Sequence, residues 1–101
     1  METKADAYIQ VRFKTAEEGG RKSAVRGDYY PCPFAIDGEL FECRVLLGGD
    51  GLDLGKTYEL PVKFFHPDKV MPLLAEGKPF ALLEGKEVAT GRVVRVVASD
   101  D

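Results

Sequence analysis

The stretch most suggestive of chemistry covers residues 50–57 and nearly reproduces the phosphate-binding P-loop motif. That motif requires glycine at its first position, whereas this chain has Asp50, whose carboxylate would repel a triphosphate. It also requires a helix directly after Lys56 and Thr57, so that backbone N–H groups face the phosphate. The alternating residues 58–62 predict a strand instead. We therefore expect a plain loop here and no bound nucleotide.

The other candidate chemical groups are two cysteines and a single histidine. Cys32 and Cys43 could form a disulfide, join His66 and a carboxylate around zinc, or lie side by side as buried thiols. The third interpretation fits the burial of free cysteines best. No serine or cysteine has a spacing to His66 that indicates a nucleophile pair. Since no paired-carboxylate, metal or redox signature is present, we expect no catalytic residue, no cofactor and no enzyme.

The amino-acid composition disfavours several classes of protein function. The 101 residues carry 14 Lys and Arg against 17 Asp and Glu, a net charge of −3. Nucleic-acid-binding domains usually carry a basic excess, so this balance counts against that role. No apolar run approaches ~18 residues, so no membrane span is predicted. Residues 1–7 lack the apolar core of a signal peptide, and the expected location is cytoplasmic and reducing, which disfavours a disulfide.

The elements that must position these groups are strands, and the last third of the chain shows them most clearly. Two apolar, β-favouring runs flank Glu84-Gly85-Lys86. Gly85 can take the positive φ that a tight turn needs, and Pro79 begins the first run, where a missing N–H costs little. Gly91 in the second run is expected to allow a bulge or bend. The sequence therefore predicts a long closing hairpin.

A second hairpin is predicted around Asp37-Gly38, because Asp-Gly between two apolar runs is among the best short hairpin signals. A two-residue turn fixes the register of the flanking strands. In that register Phe34 faces Phe41 and Cys32 faces Cys43. All four side chains then share the core side of the hairpin.

Alternation of apolar and polar residues predicts further strands over residues 7–14 and 56–65. Residues 17–28 and 48–55 contain several glycines and are expected to form loops. Residues 66–74 allow one helical turn, with proline at its first position. Six strands without a long helix predict an all-β fold, a small barrel or sandwich.

The expected organisation is a single domain. Residues 1–6 are expected to fray, residues 7–98 to form the domain, and residues 99–101 to form a tail. Alternation and the register of the second hairpin predict a common core. Its expected members are Phe34, Phe41, Val45, Leu60, Val62, Phe80 and Leu82.

Five segments occur in the order and spacing of a known family. They are residues 17–21 (Glu-Glu-Gly-Gly-Arg), 30–31 (Tyr-Pro), 62–67 (Val-Lys-Phe-Phe-His-Pro), 80–85 (Phe-Ala-Leu-Leu-Glu-Gly) and 88–93 (Val-Ala-Thr-Gly-Arg-Val). Together they resemble the C-terminal β-barrel, the third domain, of elongation factor Tu, the translational GTPase that delivers aminoacyl-tRNA. The resemblance covers nearly the whole chain. It implies a closed, six-stranded antiparallel β-barrel of Greek-key type.

The resemblance also implies where RNA would lie, since in this family the barrel contacts the T-stem of tRNA. The positions that match the family's RNA-proximal residues, its hairpin tip or its basic residue before proline are Arg21, Lys22, His66, Glu84 and Gly85. Two RNA-facing features of the family differ in this chain. A glutamine of the family is replaced by Cys32, and its threonine-rich hairpin loop is shortened to Asp37-Gly38.

Nothing in the 101 residues resembles the family's GTPase domain or its middle barrel, so GTP hydrolysis is not implied. The acidic balance and the two lost features favour a non-catalytic interaction module. We expect it to bind a protein partner through its loops or an exposed face, and to bind neither nucleotide nor membrane. The alternative is a weak RNA- or tRNA-binding module associated with translation, which would use Arg21, Lys22, Arg92 and Arg95.

Overall fold

Six antiparallel strands close into one barrel in the computed structural model, which describes residues 5–97. In chain order they are β1 (Ala7–Phe13), β2 (Tyr29–Ile36), β3 (Glu39–Leu46), β4 (Thr57–Phe64), β5 (Pro79–Leu83) and β6 (Glu87–Val96). Around the barrel their order is β1-β4-β3-β2-β5-β6. Because β2, β3 and β4 are consecutive neighbours and β1 returns beside β4, these four strands form a Greek key. The all-β, closed six-stranded fold expected from the sequence is confirmed.

The β2–β3 hairpin has the predicted register. Asp37 and Gly38 have φ values of 54° and 78°, the positive values that a two-residue hairpin turn needs. Cys32 faces Cys43, and their Sγ atoms lie 3.8 Å apart as free, buried thiols. The hydrogen bond with Cys32 and burial both raise the pKa of the Cys43 thiol. Cys43 is therefore a packing group and not a nucleophile.

The core fills the barrel interior with aliphatic and aromatic side chains. Five of the seven predicted core residues are buried, namely Phe34, Val45, Val62, Phe80 and Leu82. Phe41 and Leu60 are only partly buried and pack against this core. At its centre the Phe34 ring stacks on Phe80, with 4.5 Å between centroids, and meets Phe64 edge-on at 5.0 Å. Such aromatic contacts add to the stabilisation from area burial.

Strand β6 contains two register irregularities, but neither lies at Gly91, where the sequence predicted a bulge or bend. Its register against β1 shifts so that Val94 is skipped, and its register against β5 shifts so that Val88 is skipped. Gly91 lies in a regular stretch between these two irregularities, paired with Val11 and Phe80. The expected bulge at Gly91 was therefore wrong. Glycine is required there because the β1 backbone approaches closely, as a Cβ would lie 2.0 Å from the Gln10 carbonyl oxygen.

The connections alternate between the two ends of the barrel because every neighbouring pair of strands is antiparallel. One end, which we call the loop end, carries residues 14–28, residues 47–56 and the β5–β6 turn. The opposite end, which we call the helix end, carries the β2–β3 turn and residues 65–78. That last connection contains α1 (Pro67–Val70) and a 3-10 turn (Met71–Leu73). Among residues 5–97, no helix is long and apolar enough to cross a membrane.

Asp6 belongs to the barrel, contrary to the expectation that the chain frays through residue 6. Its N–H donates to the Val62 carbonyl at 2.9 Å, and its own carbonyl accepts from the N–H of Val97 at 3.0 Å. Its carboxylate accepts a hydrogen bond from the N–H of Phe64 at 2.8 Å. The alternating apolar pattern begins only after Asp6, so it could not reveal these bonds. Residues 1–4 and 98–101, with the expected tail and domain end, lie outside the described residues.

A capped 3-10 turn (Ala16–Glu18) follows β1 and holds a carboxylate in an unusual electrostatic environment. Both Glu18 oxygens accept hydrogen bonds from the Arg12 guanidinium, at 3.0 and 3.1 Å. One of them also accepts from the N–H of Thr15 at 2.9 Å, which completes a capping box. These contacts, with Arg12 the largest cause, lower the pKa of Glu18 from 4.5 to about 2.

This low pKa gives a testable pH dependence. Because the folded pKa lies below the unfolded one, ionised Glu18 stabilises the fold above about pH 4.5, and this stabilisation is lost as the pH falls towards about 2. An NMR titration of the Glu18 carboxyl should show a midpoint near pH 2. Replacing Arg12 by glutamine should raise that midpoint. A midpoint near 4.5 in the unmodified protein would show that the ion pair does not form in solution.

Candidate functional site

Four of the five residues that the family resemblance points to lie at the loop end. Arg21 and Lys22 belong to the β1–β2 connection, and Glu84 and Gly85 form the β5–β6 turn. His66 directly follows β4 and therefore lies at the opposite, helix end, where its side chain is exposed. The structure thus brings four of these residues to one end of the barrel and separates His66 from them.

Arg21 and Glu84 are held together with Tyr30, a cluster that we call the clamp. The Arg21 guanidinium and the Tyr30 hydroxyl both donate to the same Glu84 oxygen, Oε2. The guanidinium carbon of Arg21 also lies 5.5 Å from the centre of the Tyr30 ring. The charge of Arg21 is therefore compensated within the chain. Lys22 is exposed and forms no ion pair with another residue of the range 5–97.

The clamp lies where the barrel is weakest in backbone hydrogen bonds. The β2–β5 ladder has only two residue pairs, Phe34 with Leu82 and Ala35 with Ala81. Counting from the β2–β3 turn, the backbone of Pro33 and Pro31 faces β5, and proline has no N–H to donate. The side chains of the clamp join β2 to the β5–β6 turn beyond the point where this ladder stops. The clamp therefore adds side-chain contacts where the backbone ladder between β2 and β5 is short.

A groove of about 540 Å³ lies on the outside of β1, β2, β5 and β6, but its charged groups are already engaged. The charged side chains that line it are Arg12, Asp37, Glu87 and Arg92. The first three form ion pairs with Glu18, Lys78 and Lys14. Arg92 donates to the carbonyl of Gly77 at 3.3 Å. Each of these four charged groups therefore has a hydrogen-bond or ion-pair partner within the chain.

A second surface was not anticipated from the sequence. We call it the aromatic–arginine patch, and it consists of Tyr29, Arg44 and Phe65. The guanidinium carbon of Arg44 lies 5.2 Å from the centre of the Tyr29 ring and 4.9 Å from the centre of the Phe65 ring. Both rings remain half exposed, Tyr29 at 47% and Phe65 at 49%. A cation between two exposed aromatic rings is a common feature of recognition surfaces.

The patch is assembled by three neighbouring strands. Arg44 points outward from β3, Tyr29 begins β2, and Phe65 directly follows β4. Within the β-ladders, Arg44 pairs with Pro31 of β2 and with Lys63 of β4. The patch therefore lies on the outer face of three hydrogen-bonded strands.

Doubled aromatics were the signal in the sequence that could have revealed this patch. Tyr29-Tyr30 and Phe64-Phe65 each place two large rings side by side in the chain. Consecutive residues of a strand face opposite sides, so one ring of each pair must face outward. Tyr30 and Phe64 are indeed buried, at 7% and 5% exposure, while Tyr29 and Phe65 are not. Only the strand order shows that the two outward rings meet at Arg44.

Comparisons with known proteins do not identify a function for this chain. No family model matches the chain, and no curated protein is significantly similar to it. A small six-stranded barrel is compatible with many functions, so the fold alone identifies none. Within residues 5–97, no group of three or more His, Cys, Asp or Glu side chains is placed to hold a metal ion.

Proposed function

We propose that this barrel is a non-catalytic interaction module that binds a protein partner with the outer face of β2, β3 and β4. The observation that supports this most is Arg44 between the half-exposed rings of Tyr29 and Phe65. Aromatic residues and arginine are enriched at protein interfaces and at the few positions that dominate their binding energy. The sequence had suggested the loops or an exposed face as the contact surface, and the proposal places the contact on an exposed face of the strands.

The rigidity of the patch supports the proposal as well. Binding costs free energy when exposed side chains must be ordered, about 0.5–1.5 kcal/mol for each rotamer-rich side chain. Arg44 is already held between two rings, and the strands that carry it are fixed by the barrel. The patch is therefore organised before a partner arrives, which lowers that cost.

Capture of partners from a cell extract tests this proposal. Immobilised protein should retain a specific set of proteins, and Arg44→Glu should lose them because it places a negative charge between the two rings. Lys22→Glu is the matched control, since it makes the same change of charge at the exposed loop end. Circular dichroism should confirm that both variants are folded. Retention by Arg44→Glu together with loss by Lys22→Glu would contradict the proposal.

Weak RNA binding at the loop end is the second candidate function. It is favoured by the placement of Arg21 and Lys22 at the same end of the barrel as Glu84 and Gly85. The resemblance to the elongation factor Tu barrel implies RNA contacts at these four positions. Against it stand the net charge of −3 and the ion pair that already occupies Arg21. Two or three phosphate contacts would give a logarithmic salt slope of only about −2 to −3.

We therefore expect no tRNA complex at ~150 mM salt, and at most a feeble one at low salt. Fluorescence anisotropy with labelled tRNA measures this. The double variant Arg21→Ala with Lys22→Ala should remove the feeble binding, and Glu84→Gln, which releases Arg21, should strengthen it. A sub-micromolar complex at ~150 mM salt that the double variant abolishes would favour the translational role instead.

A further inference from the structure

We propose that the partner presents a carboxylate side chain to Arg44 and Lys63, beside an apolar side chain that packs on Tyr29 and Phe65. This inference rests on the proposed function, because it names the chemistry that the aromatic–arginine patch would recognise. It goes further by committing to an acidic protein segment as the occupant of the patch.

Arg44 and Lys63 are a pair of neighbouring positive charges that forms no ion pair within residues 5–97. Arg44 and Lys63 are direct cross-strand partners on β3 and β4, so their side chains leave the same face of the sheet. Like charges directly opposite each other destabilise a strand pair. Among residues 5–97, neither side chain forms an ion pair. A carboxylate from outside the chain would relieve this repulsion.

A third cation lies two strands away from Lys63, on β6. Tyr8 of β1 pairs with Pro61 of β4 on one side and with Arg95 of β6 on the other. The guanidinium carbon of Arg95 lies 4.4 Å from the centre of the Tyr8 ring, and Arg95 makes no ion pair within the described range. Arg44, Lys63 and Arg95 thus lie on the outer faces of β3, β4 and β6 without an ion pair among residues 5–97, in a chain whose net charge is −3.

An acidic residue on the same outer face would repel a ligand that carries many negative charges. Glu42 lies two positions from Arg44 on the outward side of β3, and it forms no ion pair with Arg44 or Lys63. One or two carboxylates of a partner can avoid Glu42. A polyanion such as RNA would meet both Glu42 and the acidic chain as a whole.

The aromatic rings favour a protein segment over a nucleic acid as the ligand. Arg44 already covers one face of both Tyr29 and Phe65, which leaves less ring surface for a stacked base. The guanidinium group presents donors in a planar fork that suits a carboxylate. The exposed parts of the two rings remain available for an apolar side chain next to that carboxylate. The chemistry that fits is an acidic residue flanked by an apolar one.

Two capped tetrapeptides provide matched probes, Phe-Glu-Glu-Phe and its amide analogue Phe-Gln-Gln-Phe. Titration at low ionic strength, followed by ¹H–¹⁵N NMR, should shift the signals of Tyr29, Arg44 and Phe65. The acidic peptide should bind about tenfold or more tightly than the amide peptide. Arg44→Gln should reduce this ratio, and Arg44→Gln combined with Lys63→Gln should bring it near one. Lys22→Gln, a matched loss of charge at the loop end, should leave it unchanged.

Equal affinity of the two peptides would overturn the carboxylate inference while leaving the patch as a protein-binding surface. If neither peptide shifts these signals, the inference is also overturned, and the extract capture decides the proposed function by itself. A short oligouridylate serves as the third probe. Shifts at the patch caused by oligouridylate but not by the acidic peptide would contradict both the inference and the choice of a protein partner.

Discussion

Replacing Phe34 by alanine is expected to lower the free energy of unfolding by about 3–5 kcal/mol. The side chain is fully buried, and its ring contacts Phe80 and Phe64 at the centre of the barrel. Truncation would remove apolar burial and leave a cavity that the closed sheet cannot easily fill. Urea denaturation followed by circular dichroism measures the change.

Leu40→Ala is the matched control for this prediction. Leu40 lies one strand away on β3 but faces outward with 60% of its surface exposed. Its loss should change the stability by less than about 1 kcal/mol. If Phe34→Ala also cost less than about 1 kcal/mol, the ring could not be buried, and the strand register would have to be different.

Replacing Gly91 by alanine is expected to cost about 3 kcal/mol or more, despite the small size of the change. The added Cβ would lie 2.0 Å from the backbone oxygen of Gln10 and 2.7 Å from the Phe80 ring. The first neighbour is backbone, so relief requires β1 to move away from β6. Thermal and urea unfolding of the variant measure the loss of stability.

Thr90→Ala provides the control for Gly91→Ala because Thr90 precedes Gly91 on β6 and is exposed. Its expected effect is under about 1 kcal/mol, from strand propensity alone. A variant Gly91→Ala as stable as the unmodified protein would show that β1 and β6 are further apart than described. The two strands would then have to meet through another register.

Local patterns were enough to predict the strands and one hairpin register. Asp37-Gly38 fixed which residues of β2 and β3 face each other, because a two-residue turn leaves no freedom in the register. The side of the sheet on which Arg44 lies followed from the same register. Long-range partners could not be obtained in this way. Arg21 and Glu84 are 63 residues apart in the chain, and only the closed barrel brings them together.

The same reasoning explains the misplaced expectation for Gly91. A glycine within a strand indicates either a bulge or a close approach of another backbone, and the sequence does not distinguish them. The answer depends on which strand lies beside β6, and that is decided by the closure of the barrel through β1. The aromatic–arginine patch was missed for a related reason, since it takes one residue from or beside each of three strands.

The most direct test of a protein-binding face is cross-linking inside cells. A photoreactive benzoylphenylalanine would replace Phe65 in one variant and Lys22 in another, which places the probe on the patch or at the loop end. We predict that irradiation yields specific protein adducts from position 65, that Arg44→Glu removes them, and that position 22 yields few. RNA or protein adducts from position 22, with none from position 65, would contradict the account.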